Sequence, residues 1–185
     1  MIAGTAKGIR LGPVPPGTRP VSDRAREGLF SSLGDGVRGA RVLDLFAGTG
    51  ALGIECLSRG AEHAVFVDRA RAACDAIRRN LAFTGLADQA KVHRLEVLRF
   101  LRKGIAEGGG FDVVLLDPPY ELEGPELEDA LQELDSGWLR GPGWTVVVTR
   151  ASESSTLVVP LHWLARRRLI YGDSLLIVYQ EDPWA

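Results

Sequence analysis

Asp117-Pro118-Pro119-Tyr120 is the stretch with the most chemistry in it. It follows a run that is apolar from Phe111 to Leu116 except at Asp112, so it opens at the end of a strand buried on both faces. An ionised carboxylate only accepts hydrogen bonds, and a proline, which lacks an N–H, still presents its carbonyl. Two acceptors on a stiff turn suit an exocyclic amine of a nucleobase, whose lone pair is delocalised into the ring and must be aimed at an electrophile. Preset acceptors stabilise the positive charge that then builds on nitrogen. Tyr120 adds a ring on which a base can stack. Asp117, Pro118, Pro119 and Tyr120 are therefore the candidate catalytic residues. Asp117 need not act as a full base, because the proton can leave after transfer, when the amine is far more acidic. The competing reading is a turn that merely ends a strand, with Tyr120 covering the core edge.

A second constellation surrounds Gly48, Gly50 and Gly53, which form G-x-G-x-x-G directly after the apolar run Val42–Phe46 and at the start of a helical segment. Glycines let the backbone approach a ligand closely, and the new helix directs its positive end there. Asp44 lies within the strand, near enough to the turn to hold backbone or ligand N–H groups. Asp68 closes the next strand, 20 residues after Gly48, where an acid can accept both hydroxyls of a ribose. Glu96 closes the third strand and faces either an adenine edge or solvent. The combination points to a nucleoside cofactor, whereas the glycine motif alone is weak.

The elements that must position these groups alternate. Strands are expected at 41–46, 63–68, 91–95, 111–116 and 144–149, with helices at 51–58, 69–83, 97–103 and 125–134. This alternation predicts a parallel sheet covered on both faces, with ligands bound beyond the carboxyl ends of the strands. Two β-rich runs, 164–171 and 174–179, flank Gly172-Asp173 and predict an antiparallel hairpin. Before the first strand, Ser22 is a candidate N-cap for a helix over 23–33, whose apolar stripe is Ala25, Leu29, Phe30 and Leu33; Arg24, Arg26 and Glu27 lie off it. Residues 2–4 and 8–11 are candidate strands of a small hairpin, followed by prolines at 13, 15, 16 and 20. The division expected is an N-terminal hairpin and basic extension, 1–21, ahead of the catalytic domain, 22–185. No second glycine turn follows a later strand, and the terminal hairpin is foreign to a dinucleotide fold. Both features favour S-adenosylmethionine (SAM) and the seven-stranded methyltransferase fold.

Bulk composition narrows the rest. The chain has 185 residues and a formal net charge of −2, but residues 1–41 hold seven Lys/Arg against three acids. A basic end on an acidic body suits a polyanion contact, or a solvated tail. Cys56 and Cys74 fall in expected helices and read as buried free thiols. They and three scattered histidines offer no metal spacing, and no signal peptide or spanning run is evident, so a cytoplasmic location is expected.

Segments 44–55, 57–61 and 111–120, together with Ile2-Ala3-Gly4, residues 18–27 and Tyr171-Gly172-Asp173-Ser174, resemble the bacterial small-subunit ribosomal RNA guanine-N2 methyltransferase family over essentially the whole chain. The D-P-P-Y tetrapeptide is shared with many amino-group methyltransferases; the 18–27 segment is the more family-specific part. The resemblance implies an α/β, Rossmann-like SAM-dependent methyltransferase domain: a seven-stranded, mostly parallel sheet with a C-terminal antiparallel hairpin and a small N-terminal extension. It implies methylation of a guanine N2 in small-subunit ribosomal RNA, in an assembling particle; separately, a monomer needing neither metal nor membrane is expected. The cofactor contacts it carries over fall on Asp44, Phe46, Gly48, Gly50, Gly53, Asp68, Glu96 and Val97. Glu96-Val97 departs from the Asp-Ala common in relatives, and Thr149-Arg150 stands where relatives often have a glutamate, so no role is assigned there. Lys7, Arg10, Arg19, Arg24 and Arg26 become candidate phosphate contacts. Arg166, Arg167 and Arg168 read as a solvated strand edge, alternate ones sharing a face. Two alternatives stand beside this reading: methylation of another nucleobase amine, adenine or cytosine, in DNA or RNA, and a non-catalytic RNA-binding assembly factor on the same fold.

Overall fold

The structure is a computed structural model that describes residues 1–13, 21–104, 109–119, 122 and 124–184. Seven strands form one sheet: β1 (Arg41–Leu45), β2 (His63–Asp68), β3 (Ala90–Arg94), β4 (Val113–Leu116), β5 (Thr145–Ala151), β6 (Trp163–Tyr171) and β7 (Ser174–Glu181). Their spatial order is β3-β2-β1-β4-β5-β7-β6. The first five run parallel, and β7 inserts antiparallel between β5 and β6. Strand order reverses between β1 and β4, which is the switch point where such sheets bind ligands. The helices are α1 (Asp23–Leu33), α2 (Ala51–Ser58), α3 (Arg71–Thr84), α4 (Val97–Leu101) and α5 (Pro125–Asp135).

Side-chain alternation divides the core in two. Val42, Phe66, Val113, Leu115 and Val147 pack against α1, α2 and α3. Leu43, Leu45, Val65, Val67, Val114, Leu116 and Val148 pack against α4 and α5. The buried run β4 is covered on both faces, as its unbroken apolar sequence requires. From residue 22 onward the expected elements are found, with ends displaced by at most two residues. Both cysteines are free and buried.

Three expectations change. Residues 1–13 contain no strands. Four of their backbone donors go to α2 instead of a hairpin ladder. The N–H groups of Ile2 and Ala3 donate to the Glu55 carboxylate at 2.9 and 3.0 Å, and those of Thr5 and Ala6 donate to the Ser58 carbonyl and hydroxyl at 2.8 and 3.0 Å. A Cβ at Gly4 would stand 1.6 Å from the Ser58 carbonyl oxygen, so only glycine allows this approach. Arg26, expected on the solvent side of α1, is buried with Ala25, and its guanidinium bonds Asp23 one turn back. Finally, a bulge between Ala165 and Arg167 breaks the alternation of the three arginines. All three are exposed, and Arg167 reaches across to donate to the Ser32 carbonyl and hydroxyl.

Candidate active site

The carboxyl ends of β1, β2 and β4 bring the two constellations to one edge. β1 ends at Leu45 and is followed by Phe46, which has φ 57°, the left-handed value among described residues that is not on a glycine. Such a conformation is held only where surrounding structure over-determines it, and it recurs at functional sites. The turn then passes Gly48 (φ 55°) and Gly50 (φ 77°) into α2. Asp68 braces that turn: one carboxylate oxygen accepts from Gly48 N–H at 2.9 Å and the other from Ala70 N–H at 2.8 Å. Asp44, fully buried, accepts from Gly53 N–H at 2.9 Å. Gly53 is needed for packing as much as for a ligand, because a Cβ there would come within 2.4 Å of the Phe66 ring and 2.9 Å of Asp44 Oδ2.

Asp117 enters from β4, its N–H donating to Leu45 O of β1 at 3.3 Å. The Pro119 carbonyl accepts from Leu122 N–H at 2.9 Å, which closes the following turn. Pro118, which is buried, has no comparable backbone partner among the described residues, so its carbonyl is the freer acceptor beside Asp117. Burial pushes the Asp117 carboxyl up to about 7, against the opposing pull of the Thr149 hydroxyl. The β4–β5 register, with Leu116 beside Val148, sets Thr149 next to Asp117. That hydroxyl is buried and completes no hydrogen bond of standard geometry. Burial also raises the Asp44 carboxyl well above the usual range; the Gly53 N–H opposes this, and the charges of Asp117 and Asp68 add to it.

The arrangement has a chemical sense. Three carboxylates sense one another at a single edge, and none of them forms an ion pair among the described residues. Acids gathered without a paired cation favour a ligand that carries positive charge over a phosphate-rich one. The remaining candidates are placed differently. Both Glu96 oxygens accept from the Leu98 and Arg99 N–H groups at 2.7 Å, so the side chain caps α4. The Val97 side chain is buried in the core beneath that helix. Tyr120 and Arg19 lie outside the described residues. Lys7, Arg10 and Arg24 are exposed.

Asn80 was invisible to sequence reasoning. Its amide nitrogen donates to the Thr49 carbonyl in the glycine turn at 2.9 Å, and its oxygen accepts from Gly12 N–H at 2.8 Å. The N-terminal segment is thus tied directly to the back of the turn. An asparagine within an amphipathic helix carries no local mark of such a bridge.

Comparison with known proteins places the chain in a family. A family model described as Conserved hypothetical protein 95 matches residues 1–180. Ribosomal RNA small subunit methyltransferase D of Escherichia coli (strain K12) is 36% identical over 185 residues, covering 98% of this chain and 89% of that protein. A Bacillus subtilis protein, YlbH, described as a candidate rRNA methyltransferase, is 43% identical over 122 residues, 65% of this chain and 66% of its own. The solved structure of Escherichia coli yhhF, described as a candidate methyltransferase, superposes with a TM-score of 0.82 at 34% identity over 98% of this chain and 97% of that one. Near-full-length similarity to a methyltransferase agrees with a sheet whose last three strands are β5-β7-β6 and with acids at the ends of β2 and β4. The chain belongs to the Conserved hypothetical protein 95 family, in which its near-full-length relatives are the small-subunit ribosomal RNA methyltransferases D.

Proposed function

We propose that this protein methylates the exocyclic N2 amine of a guanine in small-subunit ribosomal RNA, with SAM as methyl donor. The observation that carries the reading is the meeting of Asp117 and the Pro118 carbonyl with the Asp68-braced glycine turn at one sheet edge. SAM supplies a methyl group on a sulfonium, and the three neighbouring carboxylates suit its positive charge. Asp68 would hold the ribose with its remaining lone pairs, and the Gly48–Gly50 backbone would pass beneath the methionine part. Phe46 would shape the approach through its left-handed backbone. Glu96 and Val97 would contribute through the backbone at the start of α4, because their side chains are engaged in a cap and in the core.

Asp117 and Pro118 then act on the guanine. The ionised carboxylate accepts one N–H and the carbonyl accepts the other, which orients the nitrogen lone pair and stabilises its developing charge. The proton leaves to water after transfer. Arg10 and Arg24 serve as phosphate contacts for RNA arriving over this edge, while buried Arg26 orders α1. The enzyme works as a monomer in the cytoplasm, and no helix among the described residues is long and apolar enough to cross a membrane.

Asp117→Ala tests the assignment. Methyl transfer from labelled SAM to small-subunit particles should fall by at least 100-fold, while calorimetric SAM binding persists. Near-normal turnover would remove Asp117 from the chemistry. Mass spectrometry of the product nucleoside separates guanine N2 from an adenine or cytosine amine.

A further inference from the structure

A second concavity lies on the same edge, between the start of α1 and the β6–β7 turn. It has a volume of about 520 Å³ and is lined by Ser22, Arg24, Ile170, Tyr171, Gly172, Asp173 and Ser174. Ser22 and Arg24, from one segment singled out in the sequence, meet residues 171–174, from another, and the methyl-transfer chemistry uses neither. We propose that this cavity is a subsite for one nucleotide of the RNA strand that flanks the target guanine, with its phosphate on Arg24 and its base against Tyr171. The inference rests on the proposed RNA methylation.

Position supports it first. Ser174 pairs with Ala151 at the carboxyl end of β5, so the β6–β7 turn faces the same way as Asp117. From β4 across β5 and β7 to β6 is three strand spacings, about 14 Å. A flanking nucleotide of an unstacked strand spans that distance within a few residues of the target. Size agrees as well: the volume is within the range of small-ligand clefts.

Chemistry supports it next. Arg24 is exposed and forms no ion pair among the described residues. Tyr171 shares the α1 side of β6 with Leu169 and lines the cavity, so its partly buried ring gives a base an aromatic face on the side of the sheet that carries Arg24.

The walls are also preformed. Gly28 of α1 packs so closely that a Cβ there would stand 1.8 Å from the Tyr171 hydroxyl oxygen. The Asp173 carbonyl accepts from Ser152 N–H at 2.8 Å, tying the turn to the end of β5. Binding therefore meets a shaped surface with little ordering cost.

Arg24→Glu alters an exposed side chain and Tyr171→Ala removes the ring at the cavity wall, and circular dichroism should show both variants folded. With small-subunit particles from cells lacking the enzyme, KM for the particle should rise about tenfold in each variant while kcat stays within twofold and the SAM Kd is unchanged. Wild-type KM in both variants would overturn the subsite. Photo-crosslinking of the wild-type protein to particles carrying 4-thiouridine should map to residues 170–174, and crosslinks confined to other surfaces would overturn it too. Crosslinking requires no turnover, so it tests the subsite even if the wild type methylates no ribosomal substrate, a result that would instead overturn the proposed function.

Discussion

Asp117 must be ionised to accept an amine N–H, and its burial works against that. Its carboxyl sits at about 7, well above the ordinary 3.8. A cation bound beside it lowers that value, so by linkage the cation binds more tightly as pH rises through 7. Calorimetry should find SAM affinity rising several-fold between pH 6 and pH 8. S-adenosylhomocysteine shares the nucleoside and amino acid but lacks the sulfonium charge, and its affinity should change less. Asp117→Asn should abolish that difference; equal pH dependence of the two ligands with wild-type protein would contradict the role of Asp117. Stability runs in the opposite sense. A folded-state value above 3.8 means that the native state holds the proton more tightly than the unfolded chain, so stability contributed by the protonated acid is lost as pH rises from about 4 to about 7. The site thus carries a stability cost at neutral pH, one reason for a threonine hydroxyl to stand at Thr149.

At the scale of elements, α2 links the two ends of the site. Its first turn carries the glycine motif, and its last turns hold the N-terminal segment through Glu55 and Ser58. Glu55 is fully buried, satisfied by two backbone N–H groups and by Arg59 Nε at 2.8 Å. Removing it leaves donors and a cation without their acceptor, so Glu55→Ala should cost about 3–5 kcal/mol in urea unfolding. Hydrogen exchange at residues 2–6 should speed up ahead of global unfolding. Unaltered protection there would show that the segment is held by something other than α2. The Glu55 contacts explain why Ile2-Ala3-Gly4 and Gly53-Ile54-Glu55 occur in one chain: they are two halves of one joint. Further along, Gly12 reaches Asn80 behind the glycine turn.

Across the whole molecule, charge is arranged by distance from the site. α2 runs from Gly50 at the ligand edge to Ser58 at its far end, about 12 Å for eight residues. Lys7 adjoins the Ser58 end, Arg10 lies on the way back, and Arg24 sits beside the cavity. Reversal of Arg10 or Arg24 should lower the slope of log affinity for RNA against log salt by about 0.7 each, the value for one lost single-strand phosphate contact. Lys7→Glu should leave the slope as it is. Filter binding across a salt series checks this, and equal losses from all three reversals would mean a diffuse basic tail in place of a directed contact.

The sequence by itself determined the alternating sheet, the terminal hairpin, the glycine turn and the Asp117 turn, because these follow from local periodicity and from the backbone needs of glycine and proline. It also placed Asp68 at the end of β2, where its carboxylate meets Gly48. Tertiary structure alone decided the rest. The partner of a buried polar group is set by strand register and helix packing, and those bring together residues far apart in the chain. Hence Thr149 beside Asp117, Asn80 behind Thr49 and Glu55 beneath Ile2 carried no local signal. Arg26 looked solvent-facing because a charged side chain was assumed to seek water, yet Asp23 one turn earlier lets it stay within the fold. Residues 2–11 looked like a hairpin because short apolar runs around a turn share that pattern, while Glu55 and Ser58 offered their N–H groups buried acceptors. Local pattern chose the elements; competition among distant acceptors chose their partners.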